Sequence, residues 1–330
     1  MRWTSYRSSN CCRSATSGCA ATARTKPHET TAPGSRGRRT RHGTPWGWSA
    51  VPDGKNRRGT GMSESIDRIN RKTMTSASVV THYARPWELS RAEQATFDRV
   101  AAETKDQPIL DLGVGGGRTV EALRRISHDY LGIDYSQGMV DACRQRFPEA
   151  RFELADARAL ADVADASIFL AVFSCNGIGM VSHADRLLIL REVHRVLRPG
   201  GYFVFSTHNR NSPEFKRGFL FPPFDWSFNP LRLAVRSLRF TGETVLRFRN
   251  RRRHHPHEIH TEDYSVINDV CHHYSTMLYY LTLDKQREQL VEAGFEADAE
   301  AYDLDGRRVH DGTTDDSIAL IARKPTLRPG

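Results

Sequence analysis

The sequence predicts an α/β fold in which a largely parallel sheet is covered by helices on both faces. Between residues 89 and 324, short apolar runs of strand length alternate with amphipathic stretches of helical length. The apolar runs show no polar alternate face, as expected of strands buried on both sides. A glycine-rich turn, GVGGG at 113–117, joins the first of these runs to the helix after it.

The elements follow in order. LSRAEQATFDRVAAET (89–104) reads as a helix: Ser90 and Glu93 form a capping box, and Phe97, Val100 and Ala101 continue one apolar face. PILDLG (108–113) is a buried strand, RTVEALRRIS (118–127) a helix, YLGID (130–134) a second strand and SQGMVDACRQRF (136–147) a second helix. RFELAD (151–156) and SIFLAVFS (167–174) are strands three and four. In HADRLLILREVHRVLR (183–198), Ile189, Leu190, Val193, Val196 and Leu197 share one face, and Pro199-Gly200-Gly201 ends the helix. YFVFSTHN (202–209) is strand five. DKQREQLVEAG (284–294) is a helix closed by Gly294, and 296–306 and 317–324 are the last candidate strands.

The chain of 330 residues suits one large domain with an appended segment. No run of about 18 apolar residues exists, so nothing here reads as a membrane-spanning helix, and no membrane partner is expected. The formal charge of +9 is unevenly placed. Residues 1–61 hold twelve Lys and Arg against two Asp and Glu, while the remainder holds 36 against 37. The body is near neutral, which disfavours a nucleic-acid partner. Residues 1–75 are rich in Ser, Thr, Arg, Gly and Pro without periodicity, and are expected to be a disordered basic leader. An upstream start artefact, with Met62 opening the protein, is the favoured account of that leader over a transit peptide. Residues 76–330 form the expected domain. The six cysteines include no CxxC pair, so reduced thiols, a cytoplasmic location and no metal are expected.

The strongest motif is ILDLGVGGGRT (109–119). A strand ends in Asp111, and Gly113, Gly115 and Gly117 make a tight turn into a helix whose first N–H groups suit a carboxylate or phosphate. The spacing departs from G-x-G-x-x-G, because Arg118 follows Gly117. That argues against a nicotinamide-dependent dehydrogenase. Asp134 ends strand two, where a carboxylate can accept both ribose hydroxyls, although a role beside the Ser136 helix start is the plain alternative. Asp156 ends strand three, where it can accept from an adenine amino group. Three carboxylates at the ends of three successive strands describe a nucleoside-shaped site.

In this order, D-x-G-x-G-x-G, an acidic strand-two end, D-A and helix–LRPGG–strand, the sequence resembles class I S-adenosylmethionine (SAM)-dependent methyltransferases over roughly residues 79–324. FSCNGIGMVSHADR followed by LRPGGYFVFSTHN resembles their small-molecule branch, often described as type 11 or type 25. The resemblance implies a Rossmann-like three-layer sandwich with a seven-stranded, mostly parallel sheet whose last strand is antiparallel. It implies SAM as cofactor. Asp111 and the Gly113–Gly117 loop would lie at the methionine end, with Asp134 on the ribose. Asp156 and Ala157 would face the adenine, Tyr135 and Met139 would line its pocket, and Tyr83 would close over the cofactor. The family's usual acid near the end of strand four has no counterpart, since position 179 is Gly.

The acceptor is expected to be a small molecule, methylated on O or N. An RNA or protein methyltransferase and a non-catalytic SAM-binding module are the alternatives. His208, at the end of strand five, is the candidate general base, and Asn176, after strand four, the candidate orienting group; structural roles are open for both. Substrate choice is assigned to an insertion at 210–282. Its aromatic part, 219–230, is expected to wall an apolar pocket. Its basic part, 247–260, is expected to be a solvated loop, with an anionic substrate as the next reading. The stretch 269–282 offers a strand for the sheet edge and brings His272, His273 and Tyr274, for which core packing is the default. Oligomeric state is not legible.

Overall fold

The computed structural model describes residues 61–326. The helices are α1 (Gly61–Met74), α2 (Ala77–Tyr83), α3 (Arg91–Thr104), α4 (Val120–Ile126), α5 (Gln137–Arg146), α6 (His183–Val196), α7 (Pro230–His254) and α8 (Leu283–Glu292). The strands are β1 (Ile109–Leu112), β2 (Tyr130–Asp134), β3 (Arg151–Leu154), β4 (Ile168–Phe173), β5 (Leu197–Asn209), β6 (Ile259–His260), β7 (Tyr264–Asp269), β8 (Thr276–Leu281), β9 (Glu300–Tyr302), β10 (Arg308–Val309) and β11 (Ser317–Arg323).

The sheet runs β10-β9-β11-β5-β4-β1-β2-β3. Strands β1 to β5 are mutually parallel, and β11 lies antiparallel between β5 and β9. Without the small β10 hairpin strand this is the expected seven-stranded, mostly parallel sheet with its last strand antiparallel. Successive residues of β1 serve opposite faces. Leu110 and Leu112 join α6 and α8 residues such as Leu190, Val193 and Leu290. Ile109 packs on the other face, where Phe97 of α3, Val120 of α4 and Val140 of α5 lie. Two-sided burial explains why the strands read as continuous apolar runs. The Ser90–Glu93 capping box is formed at the start of α3.

Three expectations need correction. The segment 61–74, expected to belong to the disordered leader, is α1; Ile66 is fully buried against β7 and β8. Asn70 donates to the Met180 and Met277 carbonyls at 2.7 and 2.8 Å and accepts from the Met277 N–H at 2.8 Å, which ties the helix to β8. The leader assignment for residues 1–60 lies outside the described residues. The basic stretch expected as a solvated loop is mostly the 25-residue α7. The aromatic stretch 219–230 contributes to neither of the two cavities described below, and Phe221, Trp226 and Phe228 are exposed. The expected edge strand within 269–282 is β8. It pairs with β5 at His208–Tyr280 and Asn209–Leu281, and β7 and β6 extend it outward as an antiparallel ladder. Among the described residues, no helix is long and apolar enough to cross a membrane.

Candidate active site

The chain builds β1, β2 and β3 in one direction and then crosses to β4 and β5 on the other side of β1. Loops leaving the carboxyl ends of β1 and β4 therefore diverge, and a crevice opens between them. A cavity fills that crevice. Its wall includes Gly113 and Gly115 after β1, Asp134 and Tyr135 at the end of β2, and Asp156 and Ala157 after β3. Asn176 after β4, His208 of β5, Met139 of α5 and Tyr83 of α2 also line it, so all of the predicted residues except Asp111 and Gly117 meet here.

The glycine loop is held from both sides. Gly113 and Gly115 have φ of +60° and +56°, where a side chain is strained. Gly116, which the sequence reading passed over, is the tightest position: a Cβ there would lie 1.9 Å from the Tyr83 carbonyl oxygen. This packs the end of α2 directly onto the loop. Below it, the Asp134 carboxylate accepts from the Gly115 N–H at 3.0 Å and the Ser136 N–H at 2.8 Å. Burial nevertheless raises its pKa above the ordinary value. Arg118 also faces the cavity and makes a buried ion pair with Glu93. Burial works to raise the Glu93 carboxyl, but the charge and hydrogen bonds of Arg118 override it and hold it low.

Two predicted cofactor residues do other work. Asp111 is fully buried beneath the loop and is not part of the cavity wall. One of its oxygens accepts from Thr119 Oγ1 at 2.5 Å and Tyr130 Oη at 2.8 Å, and burial pushes its pKa up to about 6. Gly117 is also absent from the wall; its φ of +82° and the closeness of Phe147 make it a packing position.

At the adenine end, α1 enters the site. Arg71 pairs with Asp156, and its guanidinium lies over the Tyr135 ring, 4.4 Å from the centroid. Asp156 also pairs with Arg158 at 2.7 Å. Burial opposes ionisation of Asp156, yet the Arg158 hydrogen bonds and charge, with Arg71, hold its pKa below the ordinary value. A planar cation thus stands between Tyr135 and Asp156, where the sequence reading placed a purine. The cavity volume is about 130 Å³, below the roughly 300–1,000 Å³ of ligand pockets. Asp67, Asn70 and Met74 of α1 also line it. The only sequence signal for this helix was Ile66 and Ile69, spaced i, i+3 in a polar stretch.

At the far end, His208 is buried and stacks on Tyr280, with ring centroids 4.9 Å apart. Burial lowers its pKa to about 4, so it is neutral at pH 7. Asn176 has φ +56°; its N–H donates to Ser206 Oγ at 2.7 Å and its Oδ1 accepts from Ser317 Oγ at 2.8 Å. Its polar groups thus tie the β4 turn to β5 and β11. His272 reaches the wall, with Nε2 3.5 Å from Tyr83 Oη, whereas Tyr274 is buried in packing against Phe219.

Residues 109–201 match the family model described as a methyltransferase domain. Over 121 residues the chain is 28% identical to a protein of Mycolicibacterium smegmatis named "Probable S-adenosylmethionine-dependent methyltransferase", covering 36% of this chain and 45% of that one. It is 36% identical over 147 residues to a demethylmenaquinone methyltransferase of Beutenbergia cavernae, covering 44% and 58%. The chain spans about half the length of the curated relatives it matches. Among solved structures it is similar to a Burkholderia thailandensis 1,6-didemethyltoxoflavin-N1-methyltransferase at 14% identity and TM-score 0.48, covering 83% of this chain and 94% of that one. At that score the likeness bears on neither fold detail nor function.

Proposed function

We propose, from the premise that this chain carries a domain of the class I SAM-dependent methyltransferases, that it transfers the methyl group of SAM to an O or N atom of a small-molecule acceptor. The observation that carries the reading is the Asp134 carboxylate on the cavity wall, pinned by two backbone N–H groups beside Gly113 and Gly115. SAM, when bound, supplies a methyl already made electrophilic by its sulfonium. Everything else is the work of the protein.

Asp134 would accept the ribose hydroxyls, and Gly113 and Gly115 would let the methionine portion approach the backbone closely. Tyr135, Met139 and Ala157 would flank the adenine. Arg71 must then leave its place over Tyr135. Its pair with Asp156 is about one-third exposed on both sides, so breaking it costs no more than about 1 kcal/mol. Helix α1 thereby becomes part of the site, and its Asn70 anchor keeps it over the crevice. Water exclusion and orientation account for much of such a catalyst's effect.

His208 would face the acceptor. A group with a pKa near 4 is a weak general base. Its neutral imidazole is better suited to accept a hydrogen bond from an acceptor that gives up its proton readily, or to orient a neutral amine. Asn176 would serve mainly to hold the β4 turn. The test is isothermal titration of SAM, and separately NADH, into the full-length chain. Micromolar SAM binding without NADH binding supports the reading; NADH binding without SAM binding overturns it.

A further inference from the structure

A second cavity, of about 740 Å³, lies between α1, α2, α7 and the 272–275 turn. Arg68, Lys72, Arg85, Arg239 and Arg253 line it against a single carboxylate, Glu243. Among the described residues no carboxylate forms an ion pair with Arg68, Lys72, Arg85 or Arg253. His82, His254, His257, His272 and His273 add five imidazoles. Three of their nitrogens, His82 Nε2, His254 Nδ1 and His273 Nδ1, are buried without a hydrogen-bond partner among the described residues. Buried polar atoms are normally paired, and these three are exceptions in the ring packing behind the cavity wall.

The turn that carries His272 and His273 is strained on purpose. His272, His273 and Tyr274 have φ of +49°, +58° and +60° in succession, a rare state for residues with side chains. Asn250 Nδ2 clamps it by donating to the His273 carbonyl at 2.9 Å, and Asn268 Nδ2 donates to the Tyr274 carbonyl at 2.9 Å. The strain places His272 on the wall of both cavities.

We propose that this second cavity binds a phosphate-bearing group, and that the two cavities together hold one acceptor, with its reactive atom near His208 and its phosphate among Lys72, Arg253 and the histidines. A phosphate offers several acceptor oxygens to guanidinium forks and to a mobile ammonium. The single carboxylate leaves a strong positive excess to be neutralised. Burial, with neighbouring cations behind it, holds His82, His254 and His273 below their ordinary pKa, and an anion would relieve that repulsion. The acceptor half of the inference rests on the proposed function; the anion site does not.

Inorganic pyrophosphate titrated calorimetrically into the full-length chain should bind saturably. The exposed pair Lys72→Ala/Arg253→Ala should weaken it by roughly tenfold or more while leaving SAM affinity and melting temperature unchanged. Arg249→Ala/Arg252→Ala, on α7 outside the cavity, should leave pyrophosphate affinity unchanged. No saturable binding, or equal weakening by both pairs, overturns the site. Pyrophosphate binding without SAM binding would keep the site and sink the proposed function. Label from methyl-tritiated SAM entering a phosphatase-sensitive product assigns the phosphate to the acceptor. Label in a phosphatase-resistant product assigns it to a separate effector.

Nine of the eleven exposed large apolar side chains among the described residues lie between Phe221 and Phe248. Leu231, Val235, Leu238 and Val245 repeat along one stripe of α7, with Trp226 and Phe228 ahead of it. The helix carries eight arginines and one glutamate, so a second copy of it, or the basic leader, would be repelled. We infer that this face lies on an anionic membrane surface, with the exposed Arg232, Arg249 and Arg252 meeting lipid phosphates and the apolar stripe entering the interface. The full-length chain should sediment with vesicles of phosphatidylcholine mixed with phosphatidylglycerol, and Leu231→Ser/Leu238→Ser should weaken this by roughly tenfold or more. No sedimentation, or a solution dimer that the same pair dissociates, overturns it.

Discussion

Asp134→Ala tests the site most directly. The carboxylate is almost fully buried, and its two oxygens accept from Gly115 and Ser136 N–H groups at 3.0 and 2.8 Å. Each oxygen has a further lone pair for a ribose hydroxyl. Charge-assisted hydrogen bonds are worth about 1.5–3 kcal/mol each, and part of this is recovered by water in the variant. A net loss of about 1–3 kcal/mol in SAM binding follows, or roughly 5- to 150-fold in Kd. The variant also strips two backbone donors of their acceptor, so melting should fall by a few °C. Asp134→Asn separates the two effects. The amide keeps the side chain's shape and one acceptor but loses the charge, so affinity should fall while most of the melting temperature is retained. The assay is calorimetry at 25 °C on variants whose thermal melts show them folded at that temperature. Unchanged SAM affinity in folded Asp134→Ala would refute the ribose assignment and, with it, the observation on which the proposed function rests.

Three further outcomes are expected. Arg71→Ala should bind SAM up to about fivefold more tightly, because a partly exposed pair worth about 0–1 kcal/mol no longer has to break; a tenfold loss by calorimetry would instead make Arg71 a cofactor ligand. Asn70→Leu should lower the melting temperature by roughly 5–10 °C, since three backbone groups lose their buried partner at about 1–3 kcal/mol for each group left dry; an unchanged melt would mean that α1 is not docked as described. Asp111 has a folded-state pKa of about 6, raised from its ordinary 3.8. Its favourable contribution is therefore fully present below about pH 3.8 and is lost as pH rises through 6, by roughly 3 kcal/mol. Asp111→Asn should remove that slope in pH-dependent denaturation and leave SAM affinity intact, and a loss of SAM binding would return Asp111 to the cofactor site.

The central domain was legible because its signals are local and agree with one another. Ser90 and Glu93 announce a helix start within four residues, and Ile109 to Leu112 can only be a doubly buried strand in this setting. The misses are elements whose stability comes from elsewhere. Helix α1 offers Ile66 and Ile69 as its apolar contacts, and its firmest attachment is Asn70, a residue that favours caps and turns over helix interiors. The Asn70 partners lie 110 and 207 residues away, beyond the reach of any windowed pattern. Helix α7 was obscured differently. Its apolar stripe faces outward and its last turns are crowded with arginine, so the stretch 247–260 reads as a solvated loop although most of it continues the helix.

The three strand-end aspartates show why motif matching locates a site better than it assigns roles. Asp111, Asp134 and Asp156 stand at or just past the carboxyl ends of three successive parallel strands, and the sequence treats them alike. Their neighbours do not. Asp111 meets only Thr119 and Tyr130 in a dry interior, so its charge is costly and its hydroxyl partners make it a brace beneath the loop. Asp134 meets one backbone N–H from the glycine loop and one from Ser136 just after its own strand, which fixes its oxygens at the rim of the cavity. Asp156 meets two arginines, one from its own turn and one from α1, so it stays ionised and its availability depends on whether α1 lets go. Brace, binder and latch differ by which atoms stand within about 3 Å, and those atoms come from residues 2 to 85 positions away in the chain. For the same reason the acceptor's identity should be sought in the helices packed over the crevice rather than in the glycine loop.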